Sequence, residues 1–148
     1  MDKRGLSPLI ATVLLIAFAV AIGAVLMAYS GTLGECGTVD ILIPTETGSP
    51  AVCFDQTQNG IQFTIENGQK EDVQSFKVTL HGVNDIVNLE LDEMLGTSEA
   101  KRFTIPYDLE TLGALEKMKI SPIIIEDGEH LVCPADKSLI IENIPNCS

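Results

Sequence analysis

The side chains in this sequence best suited to chemistry are four cysteines, Cys36, Cys53, Cys133 and Cys147, and two histidines, His81 and His130. A structural zinc site would bring thiolates and imidazoles together at short, fixed spacings. Here there is no C-x-x-C, and neither histidine has a second ligand at helical or knuckle spacing. An even number of cysteines beyond a long apolar segment instead predicts two disulfides and an oxidising compartment. Four cysteines allow three connectivities. The sequential one, Cys36 with Cys53 and Cys133 with Cys147, does not suit hairpin register, because each pair falls well off directly opposed positions. Two crossed pairings stay open, and the choice depends on whether a strand at 51–55 reverses against one at 39–43 or continues it. Either would close long loops, stabilising the fold by roughly 4 to 5 kcal/mol per bridge on chain-entropy grounds.

Other reactive groups have plainer readings. Asp85, Glu90, Asp92 and Glu93 supply the oxygen ligands that calcium takes, but no Asp-x-Asp-x-Asp-Gly loop frames them. A strand-like run separates Asp85 from Glu93, so the cluster reads as a solvated acidic face. His81 closes an alternating segment, and a surface or turn position accounts for it; His130 reads the same way. There is no nucleophile elbow, phosphate-cradling glycine loop or Ser/His/Asp spacing, so no enzymatic activity, cofactor or metal is expected. Asn146-Cys147-Ser148 is formally a glycosylation sequon, with a cysteine expected to be oxidised at its centre.

Charge divides the chain sharply. Beyond Ser30 lie 20 of the 21 acids but 7 of the 9 Lys and Arg, a formal charge of −13 for that part. Nucleic acid is an unfavourable partner for such a surface, because phosphate binding needs a basic face. The first 30 residues differ entirely. No charged side chain lies between Leu6 and Tyr29. A helix over this run is about 36 Å long at ~1.5 Å per residue, against roughly 30 Å of bilayer hydrocarbon. Lys3 and Arg4 precede the segment and no Lys or Arg follows until Lys70, which predicts a cytoplasmic N-terminus and an outer domain.

Two stripes mark the apolar helix. Ala17, Ala21, Ala24 and Ala28 recur at spacings that share one face. Leu15, Phe18, Ile22, Val25 and Tyr29 form a bulkier ridge beside it, and a smooth face next to a ridge suits close helix packing. A secretory signal is an alternative fate, since Ala28-Tyr29-Ser30 before Gly31 has small-x-small character. The run is much longer than an ordinary signal-peptide core of about 7–15 residues.

Lys3-Arg4-Gly5 followed by Leu6-Ser7-Pro8-Leu9-Ile10 and the apolar run resembles the class III signal of archaeal type IV pilins. The resemblance covers about 25 residues. It implies cutting by a prepilin peptidase between Gly5 and Leu6. The hydrophobic helix would then stay on the mature chain and bundle with its copies into a filament core. Cut there, the chain carries Pro8 in the first turn, where its missing N–H has no intrahelical partner to lose. Ser7-Pro8 favours the pilin-like branch over archaellins. Bacterial pilins usually carry a glutamate where this chain has Ile10; archaeal relatives commonly lack it too.

Beyond the helix the periodicity changes to alternation. Residues 61–66 and 76–81 alternate apolar with polar, as half-buried antiparallel strands do. Further strands are expected at 39–43, 51–55, 86–91, 101–105, 117–125, 129–133 and 139–144. Asp127-Gly128 suits a turn. Pro122 predicts an edge position or a bulge for its strand. A short helix is expected at 109–117, weakened by Gly113.

The expected fold is therefore an all-β, immunoglobulin-like antiparallel β-sandwich over 36–148, preceded by one long hydrophobic helix over 6–30. A leader at 1–5 and a linker at 31–35 complete the division. The expected role is a structural subunit of a pilus-like surface filament. Its partners would be copies of itself, the prepilin peptidase and, before assembly, membrane lipid. The alternative is a solitary membrane-anchored binding module, or an accessory component of a pilus or secretion machine.

Overall fold

A computed structural model describes residues 8–33 and 36–148. The chain divides into two compact units, Met1–Gly37 and Thr38–Ser148.

Helix α1 (Pro8–Leu33) dominates the first unit. Pro8 is its first described residue and leaves the helix intact, as proline does at a helix start. Thr12 Oγ1 donates back to the Leu9 carbonyl at 2.8 Å, so the polar side chain near the start satisfies itself within the helix. The helix runs three residues past the expected boundary at 30, to Leu33. Gly31 costs it only about 1 kcal/mol, and no proline intervenes to stop it.

The second unit is built almost wholly of antiparallel strands. In chain order these are β1 (Ile41–Leu42), β2 (Thr45–Glu46), β3 (Ser49–Pro50), β4 (Val52–Asp55), β5 (Gly60–Asn67), β6 (Ser75–Gly82), β7 (Ile86–Leu91) and β8 (Ala100–Pro106). A single helical turn, α2 (Leu109–Leu112), leads into β9 (Leu115–Glu126), β10 (Glu129–Val132) and β11 (Leu139–Glu142). In one sheet β5 pairs with β8 along one edge and with β1 and β4 in succession along the other. In the second sheet β9 pairs with β6, β6 with β7, and β10 and β11 share the remaining edge of β9. β2 and β3 form a small separate hairpin.

Alternation dictates what these sheets bury. Ile61, Phe63 and Ile65 of β5, Phe76, Val78 and Leu80 of β6, and Met118 and Ile120 of β9 are fully buried. Phe103 of β8 joins the sheets: its ring stacks on Phe63 at 5.6 Å and meets Phe76 edge-on at 5.8 Å. Such aromatic pairs add roughly 0.5–1.5 kcal/mol beyond the area they bury. At one end of the core the buried Asn67 amide donates to the carbonyls of Glu71 (2.8 Å), Leu95 (3.1 Å) and Gly96 (3.2 Å). One side chain thereby pins the loops that leave β5 and β7.

Two expectations are corrected. The helix at 109–117 stops after one turn, because Gly113 takes φ +74° and Leu115 already begins β9. Pro122 lies in a central strand, not at an edge, and the register shift of the β6–β9 ladder falls away from it, where Gly82 pairs with Leu115. The Pro122 carbonyl accepts from Cys133 N–H at 2.9 Å, so its nitrogen faces that same side, where β11 has ended and β10 has not begun. A missing donor costs nothing there. Of the two arrangements left open for the early strands, the structure takes the continuous one: β4 continues β1 along β5, with the β2–β3 hairpin inserted between them.

Asp127-Gly128 forms the expected tight turn. Both residues have positive φ (51° and 81°), and Glu126 pairs with Glu129 across it. That is the backbone pattern of a two-residue type I′ hairpin.

Candidate functional site

Helix α1 is the first candidate. Pro8–Ala28 is 21 residues long, 0% buried, and long and apolar enough to cross a membrane. Its apolar character is spread around every face, which suits surroundings that are apolar on all sides. All members of the two stripes whose side chains are described lie exposed: Ala17, Ala21, Ala24 and Ala28 on one, and Leu15, Phe18, Ile22 and Val25 on the other. Phe18, Ala21, Ile22, Val25 and Leu26 line a shallow apolar groove on the helix surface. The processing residues Lys3, Arg4, Gly5, Leu6 and Ser7 lie outside the described residues, as do Gly34 and Glu35 of the expected linker.

The four cysteines, three of them on the β unit, are all oxidised. Cys53 of β4 is bonded to Cys147, 94 residues later, with Cα atoms 4.9 Å apart. This excludes the sequential connectivity and chooses between the crossed ones. Backbone bonds reinforce it: Phe54 N–H donates to Pro145 O at 2.7 Å, and Cys147 N–H donates to Phe54 O at 2.9 Å. Residues 145–147 thus run parallel to β4 and cover an edge that would otherwise expose unpaired donors and acceptors. Asn146 stands exposed in this short stretch, next to the bridged cysteine.

Beside the disulfide a polar groove of about 380 Å³ opens on the outer face of the first sheet. Across it Arg102 Nη2 donates to Gln62 Oε1 at 2.9 Å, and Gln62 Nε2 donates to Asp55 Oδ2 at 3.2 Å. Thr57 Oγ1 also donates to Asp55 at 2.6 Å, and this bond holds the carboxyl below its ordinary value of 3.8. No local pattern in the sequence marks this row. Alternation turns Gln62 and Arg102 outward, but only the β5–β8 register makes them neighbours.

The remaining sequence candidates are dispersed. Asp85 sits in the β6–β7 turn and receives the Ile86 N–H at 2.8 Å, while Glu93 lies beyond the far end of β7 and forms an ion pair with Lys101. His81 pairs opposite Lys117 and Ile86, and His130 is exposed opposite Ile125. Among the described residues no three His, Cys, Asp or Glu side chains gather as a metal site.

One corner of the β unit is closely built. Tyr107, buried just after β8, donates from its hydroxyl to the Gly113 carbonyl at 2.8 Å, which ties both ends of the β8–β9 crossover. Burial pushes its phenol above the ordinary value of 10.0. Asp108 caps α2 by accepting from Thr111 Oγ1 (2.6 Å) and Glu110 N–H (3.0 Å), and the Thr111 bond above all holds its carboxyl below 3.8.

Comparison with known proteins adds little to this geometry. No protein-family model and no curated protein matches the chain. Among solved structures it is similar to the ligand-binding region of Serine-glutamate repeat protein A (SgrA) of Enterococcus faecium, at 14% identity over 63% of this chain and 87% of that one. The TM-score of 0.34 is too low for that likeness to carry an argument about fold or function.

Proposed function

We propose that this chain is a pilin-like subunit of a surface filament. It would be cut between Gly5 and Leu6, assembled through α1, and exposed to the surroundings through its β unit. One observation carries the reading: a 26-residue helix, apolar on every face and exposed along its described length, attached to a unit whose cysteines are all oxidised. Such a helix needs a bilayer before assembly and neighbouring helices afterwards. The alanine stripe gives close approach, and the Phe18 ridge gives a neighbour something to pack against.

The Lys3-Arg4 pair places the N-terminus on the cytoplasmic side and the oxidised unit outside. The prepilin peptidase, membrane lipid and further copies of the chain are its partners in this reading, with no catalytic role, cofactor or nucleic acid. Adhesion or surface contact falls to the β unit. The finer reading of that unit as immunoglobulin-like is supported by its connectivity. Strands β4, β5 and β8 neighbour one another in one sheet and β7, β6, β9 and β10 in the other, with the chain crossing between sheets after β5, β7 and β8. This connectivity matches the Greek-key strand order of immunoglobulin-like domains, without the Trp that marks antibody domains.

Mass spectrometry of the N-terminus of native material tests the processing step. Leu6 as first residue is the expected outcome, and Met1 or Gly31 there sinks the assignment. Labelling the β unit and imaging the cell surface then separates filament from solitary anchor: continuous labelled fibres support assembly, and diffuse membrane label with Leu6 at the N-terminus supports an anchored module or accessory component.

A further inference from the structure

Edge strands differ in how far they are guarded. β4 is covered by residues 145–147, β10 and β11 are four residues each, and β8 carries Lys101 and Arg102 and ends in Pro106. β7 is the least guarded of these edges. It is six residues long, Ile86-Val-Asn-Leu-Glu-Leu91, with a single charge and no proline, and it pairs only with β6 among the described residues. Charges, prolines and short lengths are how edges ordinarily avoid pairing with another chain.

Its hydrogen-bonding phase can be worked out. Gly82 N–H donates to Asp85 O at 3.0 Å, which makes these two the bonded pair closing the hairpin. Alternation along an antiparallel ladder then turns the backbone of Val87, Leu89 and Leu91 toward β6. The N–H and C=O groups of Asn88 and Glu90 face outward from the sheet, as does the C=O of Ile86, whose N–H is already donated to the Asp85 carboxylate. Along the same edge the half-buried Val87 and Leu89 side chains line an open hollow of about 500 Å³, closed on its other side by Pro106, Tyr107 and Leu112. An unpaired backbone edge beside a side-chain pocket is the arrangement that binds an added strand. The backbone supplies affinity and the pocket selects alternate side chains.

Charge chooses the occupant. The segments 85–93 and 106–112, which supply the edge and most of the hollow, contain Asp85, Glu90, Asp92, Glu93, Asp108 and Glu110 and no Lys or Arg; Lys101 pairs with Glu93 and Lys77 lies opposite Glu90, so acids still outnumber the cations facing them. Hydrogen bonds, first that from Thr111, hold the Asp108 carboxyl below its ordinary value of 3.8. A second copy of this acidic unit would be repelled there, whereas a cationic chain would be drawn in. We infer that the β7 edge and its hollow form a strand-addition site for an extended peptide in which apolar residues alternate with lysine or arginine. This goes beyond the filament reading and does not depend on it.

The test uses the full chain in non-ionic detergent and a fluorescent ten-residue peptide of alternating valine and lysine, followed by anisotropy. Saturable one-to-one binding is expected. Asn88→Pro removes an outward N–H that no strand uses, and it should weaken binding at least tenfold while the β unit keeps its circular dichroism. If Asn88→Pro fails to fold, Val87→Lys, which puts a positive charge in the hollow, should give the same loss. A serine–lysine peptide of equal charge should bind at least tenfold more weakly than the valine–lysine one. Equal binding of the two peptides would reduce the effect to general ion attraction and overturn the site. So would binding unchanged by both substitutions. Concentration-dependent dimers that Asn88→Pro abolishes would assign the edge to a second copy and overturn the peptide as its occupant.

Discussion

Cys53 and Cys147 stand 4.9 Å apart at their Cα atoms although 94 residues separate them in sequence, and the bond between them fastens the last residues to the outer edge of β4. The chain-entropy argument makes long loops the most stabilising to close. Replacing both cysteines by alanine should cost about 2 to 5 kcal/mol, toward the lower end to the extent that the other oxidised cysteines already restrain the unfolded chain. Denaturant titration of the double variant checks this, and the edge of β4 should gain amide exchange first.

Phe76 is fully buried, and its ring lies edge-on to Phe103 at the junction of the two sheets. Phe76→Ala should destabilise the β unit by about 3–5 kcal/mol through lost transfer energy and the cavity left behind. An equilibrium unfolding midpoint close to that of the parent would contradict the shared core.

Gly82 is a close approach, not a flexible joint. A Cβ at this position would overlap the Leu112 carbonyl oxygen and come within 2.7 Å of the Tyr107 hydroxyl. Backbone cannot yield as a side-chain tip can, so Gly82→Ala should cost about 1–3 kcal/mol. Tyr107→Phe, which removes only the bond to Gly113, should cost about 1 kcal/mol. Thermal unfolding of the pair ranks them, with the alanine variant the less stable.

Asp55 and Asp108 both have carboxyls held below 3.8 by hydrogen bonds they receive, first from Thr57 and Thr111 respectively. A carboxylate whose value falls on folding contributes stability that is complete above its unfolded value. That contribution fades as pH drops below 3.8 and through the folded value. Carbon-detected NMR titration should therefore find both midpoints below 3.8, and Thr111→Val should bring that of Asp108 back up. The β6–β9 ladder should persist through this range, since neither group belongs to it: Asp55 ends β4 and Asp108 caps α2.

In the proposed filament the two stripes of α1 have different duties. Ala21→Leu widens the smooth face without lowering hydrophobicity, so membrane insertion and cutting at Gly5 should continue while filament yield falls severalfold. Gly5→Leu should instead leave an uncut, membrane-held precursor. Immunoblotting of membrane and sheared-filament fractions distinguishes the two. A normal filament yield with Ala21→Leu would remove the alanine stripe from the packing.

The strand positions were largely legible because alternation is a local signal. The 86–91 segment was expected and found at those bounds, and β5, β6 and β8 each extend the expected run by one residue at either end. The helix at 109–117 failed because its apolar residues were also compatible with a strand. The turn at Gly113 and pairing with β6 decided between them. Pro122 misled for a related reason. Proline forbids one hydrogen bond, and only the assembled sheet reveals that no strand asks for that bond.

What the sequence determined alone is whatever depends on neighbours along the chain: the uncharged run that makes α1, the alternation that makes the strands, the Asp127-Gly128 turn and the acidic balance beyond Ser30. Tertiary structure decided what depends on register between distant segments. The pairing of Cys53 with Cys147 required β4 to continue β1 along β5 and the last residues to return beside it. The Arg102–Gln62–Asp55 row required β8 to dock on β5. The open edge of β7 required every other strand to have found its place. Disulfide partners and free edges are properties of which strands lie side by side, and local periodicity carries no record of that.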